Sequence, residues 1–205
     1  MEKIYLYHRE KIVKTLGPGS RYALWVQGCP HNCKGCIAAE SHSSNEGGEY
    51  VDTEQILREI AEQRKVLTGI TISGGEPFMQ SKQLNDILKG VIAMGLDVIC
   101  YTGFLYEELK ESKDTHIKEM LGYIDILIDG KYIEELNTGS YLRGSDNQRI
   151  IHLKDTYKKY EKMMNSLKNR NVEFKIKDNK TIFIAGIPPL DLNEKMDGIM
   201  QKLYE

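Results

Sequence analysis

The chain has 205 residues, 40% hydrophobic and 28% charged, enough to bury one core with a small addition. A net charge of −2 leaves no basic excess for sequence-independent phosphate binding, so a protein or small-molecule partner is expected rather than nucleic acid. No run of about eighteen apolar residues exists, and Ile4 to Tyr7 give way at once to His8, Arg9 and Glu10, so neither a membrane span nor a signal peptide is expected and a cytoplasmic location is. Four cysteines are too few for a disulfide scaffold, and three of them fall within eight residues, which points to metal chemistry in a reducing compartment.

Strands alternate with helices from residue 4 to residue 100. Residues 23–26 read as a short buried strand, and residues 41–52 as a polar loop leading to a helix near Thr53, with Asp52 and Gln55 placed as a capping box. A strand over 69–73 precedes a helix whose Leu84, Ile87, Leu88, Val91 and Ile92 follow amphipathic spacing. Residues 97–101 form the next strand, 105–121 a charged helix, and 124–128 another buried strand. This order predicts an α/β fold of right-handed βαβ units with a parallel sheet, open or curled into a partial barrel. Chemistry-bearing residues then stand at strand exits: Ser73-Gly74-Gly75-Glu76, Tyr101-Thr102-Gly103 and Asp129-Gly130-Lys131.

Beyond Leu153 the character changes. Residues 154–168 read as a basic helix, and residues 172–184 as a hairpin around Lys177-Asp178-Asn179-Lys180. A last helix starts at Asp191, with Glu194 in capping position and Leu192, Met196, Ile199, Met200 and Leu203 on its apolar face. A core over 1–153 and a C-terminal extension over 154–205, a helix plus a small ββα appendage, are therefore expected.

Cys29-Pro30-His31-Asn32-Cys33-Lys34-Gly35-Cys36 is a C-x3-C-x2-C loop whose three thiolates can take three corners of a 4Fe–4S cubane and leave one iron open. The same cysteines with His31 or His42 would also make a zinc site, and spacing alone leaves both readings standing. Cys100, inside Val98-Ile99-Cys100, reads as a buried core thiol rather than a fourth ligand.

The cysteine loop, followed about forty residues later by Gly74-Gly75-Glu76-Pro77, resembles the radical S-adenosylmethionine (SAM) superfamily. The resemblance implies a partial (β/α) barrel of that type, a 4Fe–4S cluster on Cys29, Cys33 and Cys36, and SAM chelating the open iron. An electron passed through the cluster would then split SAM into methionine and a 5′-deoxyadenosyl radical. It also implies SAM contacts at Gly35, Ile37, Gly74, Gly75, Glu76 and Thr102, with the Glu76 carboxylate paired to the methionine ammonium. Asp129 and Lys131 would lie by the SAM carboxylate or ribose; Lys131 reads equally well as a solvated residue at a strand exit.

Gly17-Pro18-Gly19-Ser20-Arg21, Trp25-Val26-Gln27-Gly28-Cys29, Tyr101-Thr102-Gly103, Asp129-Gly130-Lys131 and Arg143-Gly144-Ser145-Asp146-Asn147-Gln148 occur in this order. Together, over about residues 4–153, they resemble the activating components of anaerobic, class III ribonucleoside-triphosphate reductases, and Gly35 before the last cysteine agrees. That family implies hydrogen removal from one glycine of the large reductase subunit, an electron donor such as flavodoxin or ferredoxin, and partner contacts at Arg143, Ser145, Asn147 and Gln148. Two features depart from it: the chain continues past Leu153, and residues 41–52 lack a tryptophan often seen after the cluster. An enzyme acting on another glycyl-radical enzyme or on a peptide, and a non-catalytic iron–sulfur or zinc module, are the alternatives.

Overall fold

The computed structural model describes residues 2–177, 181–192 and 194–197. Strands β1 (Lys3–Val13) and β2 (Arg21–Val26) pair antiparallel, since the seven residues between them are too few for a parallel crossover. The polar loop expected over 41–52 ends in a strand, β3 (Glu49–Asp52), which pairs antiparallel with the other edge of β1. Next come α1 (Thr53–Gln63), β4 (Gly69–Gly74), α2 (Ser81–Ala93) and β5 (Asp97–Tyr101). The single helix expected over 105–121 is two, α3 (Tyr106–Glu111) and α4 (Thr115–Tyr123), because the Asp114 carboxylate accepts the His116 N–H at 2.8 Å and starts α4 afresh. β6 (Ile126–Asp129) and β7 (Arg149–His152) complete a sheet of order 3-1-2-4-5-6-7. Its centre, β2-β4-β5-β6, is parallel as expected, while both edges are antiparallel.

At the start of α1, Asp52 stands at the N-cap but its side chain caps nothing. Gln55, the other half of the expected box, donates instead to Glu59 at 3.1 Å. Helices α1 and α2 cover one face of the sheet, with Ile56, Ile60, Leu84, Ile87, Leu88 and Val91 wholly buried against Ile70, Ile72, Val98 and Leu127. Ile92, the last member of the expected stripe, is 37% exposed. Cys100 lies in this core, and burial pushes its thiol well above the ordinary range.

The other face is covered by the chain beyond β7. A 3-10 turn, Asp155–Tyr160, runs into a short helix, α5 (Glu161–Ser166), where one basic helix was expected. The expected hairpin follows as β8 (Val172–Lys177) and β9 (Thr181–Gly186). Tyr157 and Met164 pack against Ile99, Ile126 and Ile128, and Ala185 against Val13, Ala23 and Trp25. Phe183 meets Trp25 edge-on at 5.0 Å. The Lys175 ammonium donates to the Ile12 carbonyl at 2.9 Å and the Thr15 hydroxyl to that of Ala185 at 3.0 Å. Of the last apolar helical face, Ile199, Met200 and Leu203 lie outside the described residues. Among the described residues no helix is long and apolar enough to cross a membrane.

At the amino ends of the parallel strands Arg21 is wholly buried. It donates to Thr71 Oγ1 at 2.7 Å, Ile70 O at 2.6 Å and Asp97 Oδ1 at 2.5 Å, and Tyr157 OH donates to Asp97 Oδ2 at 2.8 Å. Arg21 thus joins β2, β4 and β5 and, through Asp97, the chain after β7. Arg21→Ala strands Asp97, whose ion-pair partner among the described residues is Arg21. The expected loss of stability is roughly 3–5 kcal/mol, read as a lower urea midpoint; an unchanged midpoint would remove this pin from the account.

Candidate functional site

Beyond β2 the chain makes a loop that closes on itself. Gly28 N–H donates to Ser41 O at 2.8 Å and Cys29 N–H to His42 O at 3.0 Å, while the Gln27 amide donates to Ser43 O at 2.8 Å. Cys29, Cys33 and Cys36 project from this loop as free, half-buried thiols. Burial pushes the Cys29 and Cys36 thiols up, and nearby backbone N–H groups of His31, Asn32 and Ala38 oppose the shift. Gly35 has φ +70, a conformation that side-chain-bearing residues rarely adopt, so glycine is favoured in this loop whatever binds to it.

The three thiols line one cavity of about 420 Å³ with Gly35, Ile37, Gly74, Gly75, Glu76, Thr102, Gly130 and Gln148. It opens at the carboxyl ends of β2, β4, β5 and β6, where the alternating pattern places it. Glu76 is wholly buried there and its carboxylate is fully engaged. Oε1 accepts from Phe78 N–H at 3.1 Å and Thr102 Oγ1 at 2.9 Å. Oε2 accepts from Gly103 N–H at 2.8 Å and stands 3.1 Å from His31 Nε2. His31 is set edge-on against Phe104 with ring centroids 4.5 Å apart. One carboxylate therefore ties the cysteine loop to the exits of β4 and β5. Gly75 has a structural reason of its own: a Cβ would fall 2.2 Å from Gly28 O, next to the first cysteine.

Asp129 is wholly buried as well, at a different task. It accepts from Tyr106 N–H at 2.8 Å and from Arg149, whose Nε lies 2.9 Å from Oδ1 and whose Nη2 donates to Oδ2. Arg149 extends to Glu107 at 2.7 Å, and these carboxylates raise its already high pKa. Lys131 is exposed, and only its carbonyl is held, by Asn147 Nδ2 at 2.8 Å. The segment 143–148 is bonded to itself, to the β6 exit, and to residues 136–140 and 165–170. Gln148 Nε2 donates to Gly130 O at 2.8 Å, Gly144 N–H to Gln148 Oε1 at 2.7 Å, and Ile133 N–H to Ser145 Oγ at 3.1 Å. Arg143 donates to Gln148 O and Asn165 O, both at 3.3 Å. Gln148 reaches the cavity, whereas Asp129, Lys131, Arg143, Ser145 and Asn147 do not line it.

Sequence reasoning passed over several cavity residues. His31 entered only as a zinc candidate, although its place between two cysteines is a signal. Arg170 and residues 186–190 also line the cavity, and nothing local in the chain announces them.

A three-thiol loop at the carboxyl ends of parallel strands defines a protein built to carry an iron–sulfur cluster, and residues 15–151 match the family described as the 4Fe-4S single cluster domain. The anaerobic ribonucleoside-triphosphate reductase-activating protein of Escherichia coli K12 is 33% identical over 157 residues, 72% of this chain and 99% of its own. That of Haemophilus influenzae is 38% identical over 144 residues, 66% and 89% of the two chains, and that of phage T4 34% over 140 residues, 65% and 85%. The chain belongs to the family of anaerobic ribonucleoside-triphosphate reductase-activating proteins, as its resemblance to those activating components over residues 4–153 implied.

Proposed function

We propose that this protein cleaves SAM reductively at a cluster held by Cys29, Cys33 and Cys36, and so generates a glycyl radical on the large subunit of an anaerobic ribonucleoside-triphosphate reductase. The observation that carries the reading is the convergence of three free thiols and the β4 and β5 exits on one cavity. The donor set fits a cubane with one open iron. His31 Nε2 is bonded to Glu76 and His42 Nδ1 to Asn32 Oδ1 at 3.0 Å, so neither histidine is needed to complete that set.

Bound there, the cluster supplies the electron that splits SAM into methionine and a 5′-deoxyadenosyl radical. The chain supplies position. Gly74 and Gly75 offer backbone, Gly35, Ile37 and Thr102 lie within the same cavity, and Glu76, which lines it too, fixes the cysteine loop to the strand exits and sets a carboxylate beside SAM's ammonium. Asp129 holds the β6 exit, from which Gly130 and Gln148 face SAM, and the exposed Lys131 supplies a counter-charge beyond it. In this reading the sheet is the partial barrel of the superfamily over 1–153, residues 154–205 are its ββα-bearing extension, Arg143, Ser145, Asn147 and Gln148 present the partner-facing loop, and a cytoplasmic flavodoxin or ferredoxin delivers electrons.

The test uses a reductase subunit with deuterated glycine. Anaerobic incubation with SAM and reductant is expected to place deuterium in 5′-deoxyadenosine; unlabelled product beside a full yield of methionine would refute glycine as the hydrogen source.

A further inference from the structure

One wall of the cavity comes from beyond the family match, which ends at residue 151. Gly186, Ile187, Pro188, Pro189 and Leu190 line it together with Arg170. Their placement is fixed from several sides. Ala185, just before them, is wholly buried against the Trp25 core. Gly186 turns at φ +118, where a Cβ would meet Asn171 O at 2.5 Å. Arg170, itself buried, donates to Pro188 O at 3.3 Å, Asn137 Oδ1 at 2.8 Å, Ser140 O at 3.0 Å and Gly144 O at 3.0 Å. The guanidinium thus clamps this strip to the 137–148 loop.

A cavity of about 420 Å³ has the size of one small-molecule site. With SAM inside, no folded surface can enter, and only a thin extended segment reaches the reacting carbon. Two apolar side chains, Ile37 and Leu190, line the cavity yet are 62% and 63% exposed. Pro188 and Pro189 have no N–H to offer a ligand. The Arg170 guanidinium on the same wall is already bonded to Ser140 O, Asn137 Oδ1, Pro188 O, Arg143 O and Gly144 O, so a charged side chain laid on this strip would lose water without gaining an uncommitted donor from it.

We propose that Pro188-Pro189-Leu190 is a substrate-reading wall, which packs against an uncharged, apolar residue flanking the target glycine in an extended segment of the partner polypeptide. This rests on the function proposed above and deepens it: the extension selects which glycine is presented. Burying one leucine side chain is worth enough to show in affinity.

The test is Leu190→Glu in the holoenzyme, with Leu190→Met beside it, assayed on the reductase subunit. Leu190→Glu is expected to keep its iron and its partner-free SAM cleavage, and to raise KM for the subunit roughly tenfold or more with kcat within about twofold. Leu190→Met is expected to stay near wild type. An unchanged KM in Leu190→Glu beside an active wild type overturns this inference alone, as does a parallel fall in partner-free SAM cleavage, which would assign the strip to SAM. A wild type that forms no radical on the subunit overturns this inference and the proposed function together.

Discussion

Cys33→Ala is expected to abolish both the iron–sulfur cluster and SAM cleavage. Three thiolates are the smallest set that holds a cubane with an open iron, so the loss of any one leaves too few to retain it. Cys29→Ala and Cys36→Ala should behave alike. Cys100→Ala is the control, because that thiol sits wholly buried in the helix-covered core. Iron per chain after anaerobic reconstitution reads the outcome: close to none in the three loop variants and about four in Cys100→Ala. A loop variant that kept its full cluster would remove that cysteine from the ligand set.

Glu76→Ala is expected to damage the apo-protein as well as its chemistry. The carboxylate receives hydrogen bonds from Phe78 N–H, Gly103 N–H, the Thr102 hydroxyl and His31, all at a site with no exposure. Each buried donor left without an acceptor costs roughly 1–3 kcal/mol, against a total stability of about 5–15 kcal/mol for a domain. Urea unfolding of the metal-free variant should therefore show a loss on the order of 3 kcal/mol or more, and the reconstituted variant should yield its iron to a chelator faster than wild type. If Glu76 served only as a partner for SAM's ammonium, the apo-protein would unfold as wild type does and only SAM affinity would fall.

The cysteine loop and the three strand exits were legible because each is a local pattern. Thiol spacing, short β-branched runs and the residues directly after them can be read within a few positions. The edges were not. β1, β3 and β7 are defined by pairing with distant strands, and the antiparallel direction of β1 and β2 follows from the length of their connection, not from their composition. The capping box at Asp52 failed for a similar reason. Glu59, recruited by Arg9 at 3.2 Å and Tyr22 at 2.6 Å, also takes the Gln55 amide that the box needed. For Glu76 the motif gave the residue but not its task, since the acceptor count of a buried carboxylate depends on which segments arrive beside it. Arg170 lies in the polar run Lys168-Asn169-Arg170-Asn171, where nothing distinguishes it from a solvated residue until the tertiary fold brings carbonyls to it.

The most direct measurement of the central claim is electron paramagnetic resonance of the large reductase subunit after anaerobic incubation with this protein, SAM and a reductant. The account predicts a doublet from a carbon-centred glycyl radical, absent when SAM is omitted and absent with Cys33→Ala. A reconstituted protein that carries its cluster and cleaves SAM, yet leaves the subunit without any such signal, would contradict it.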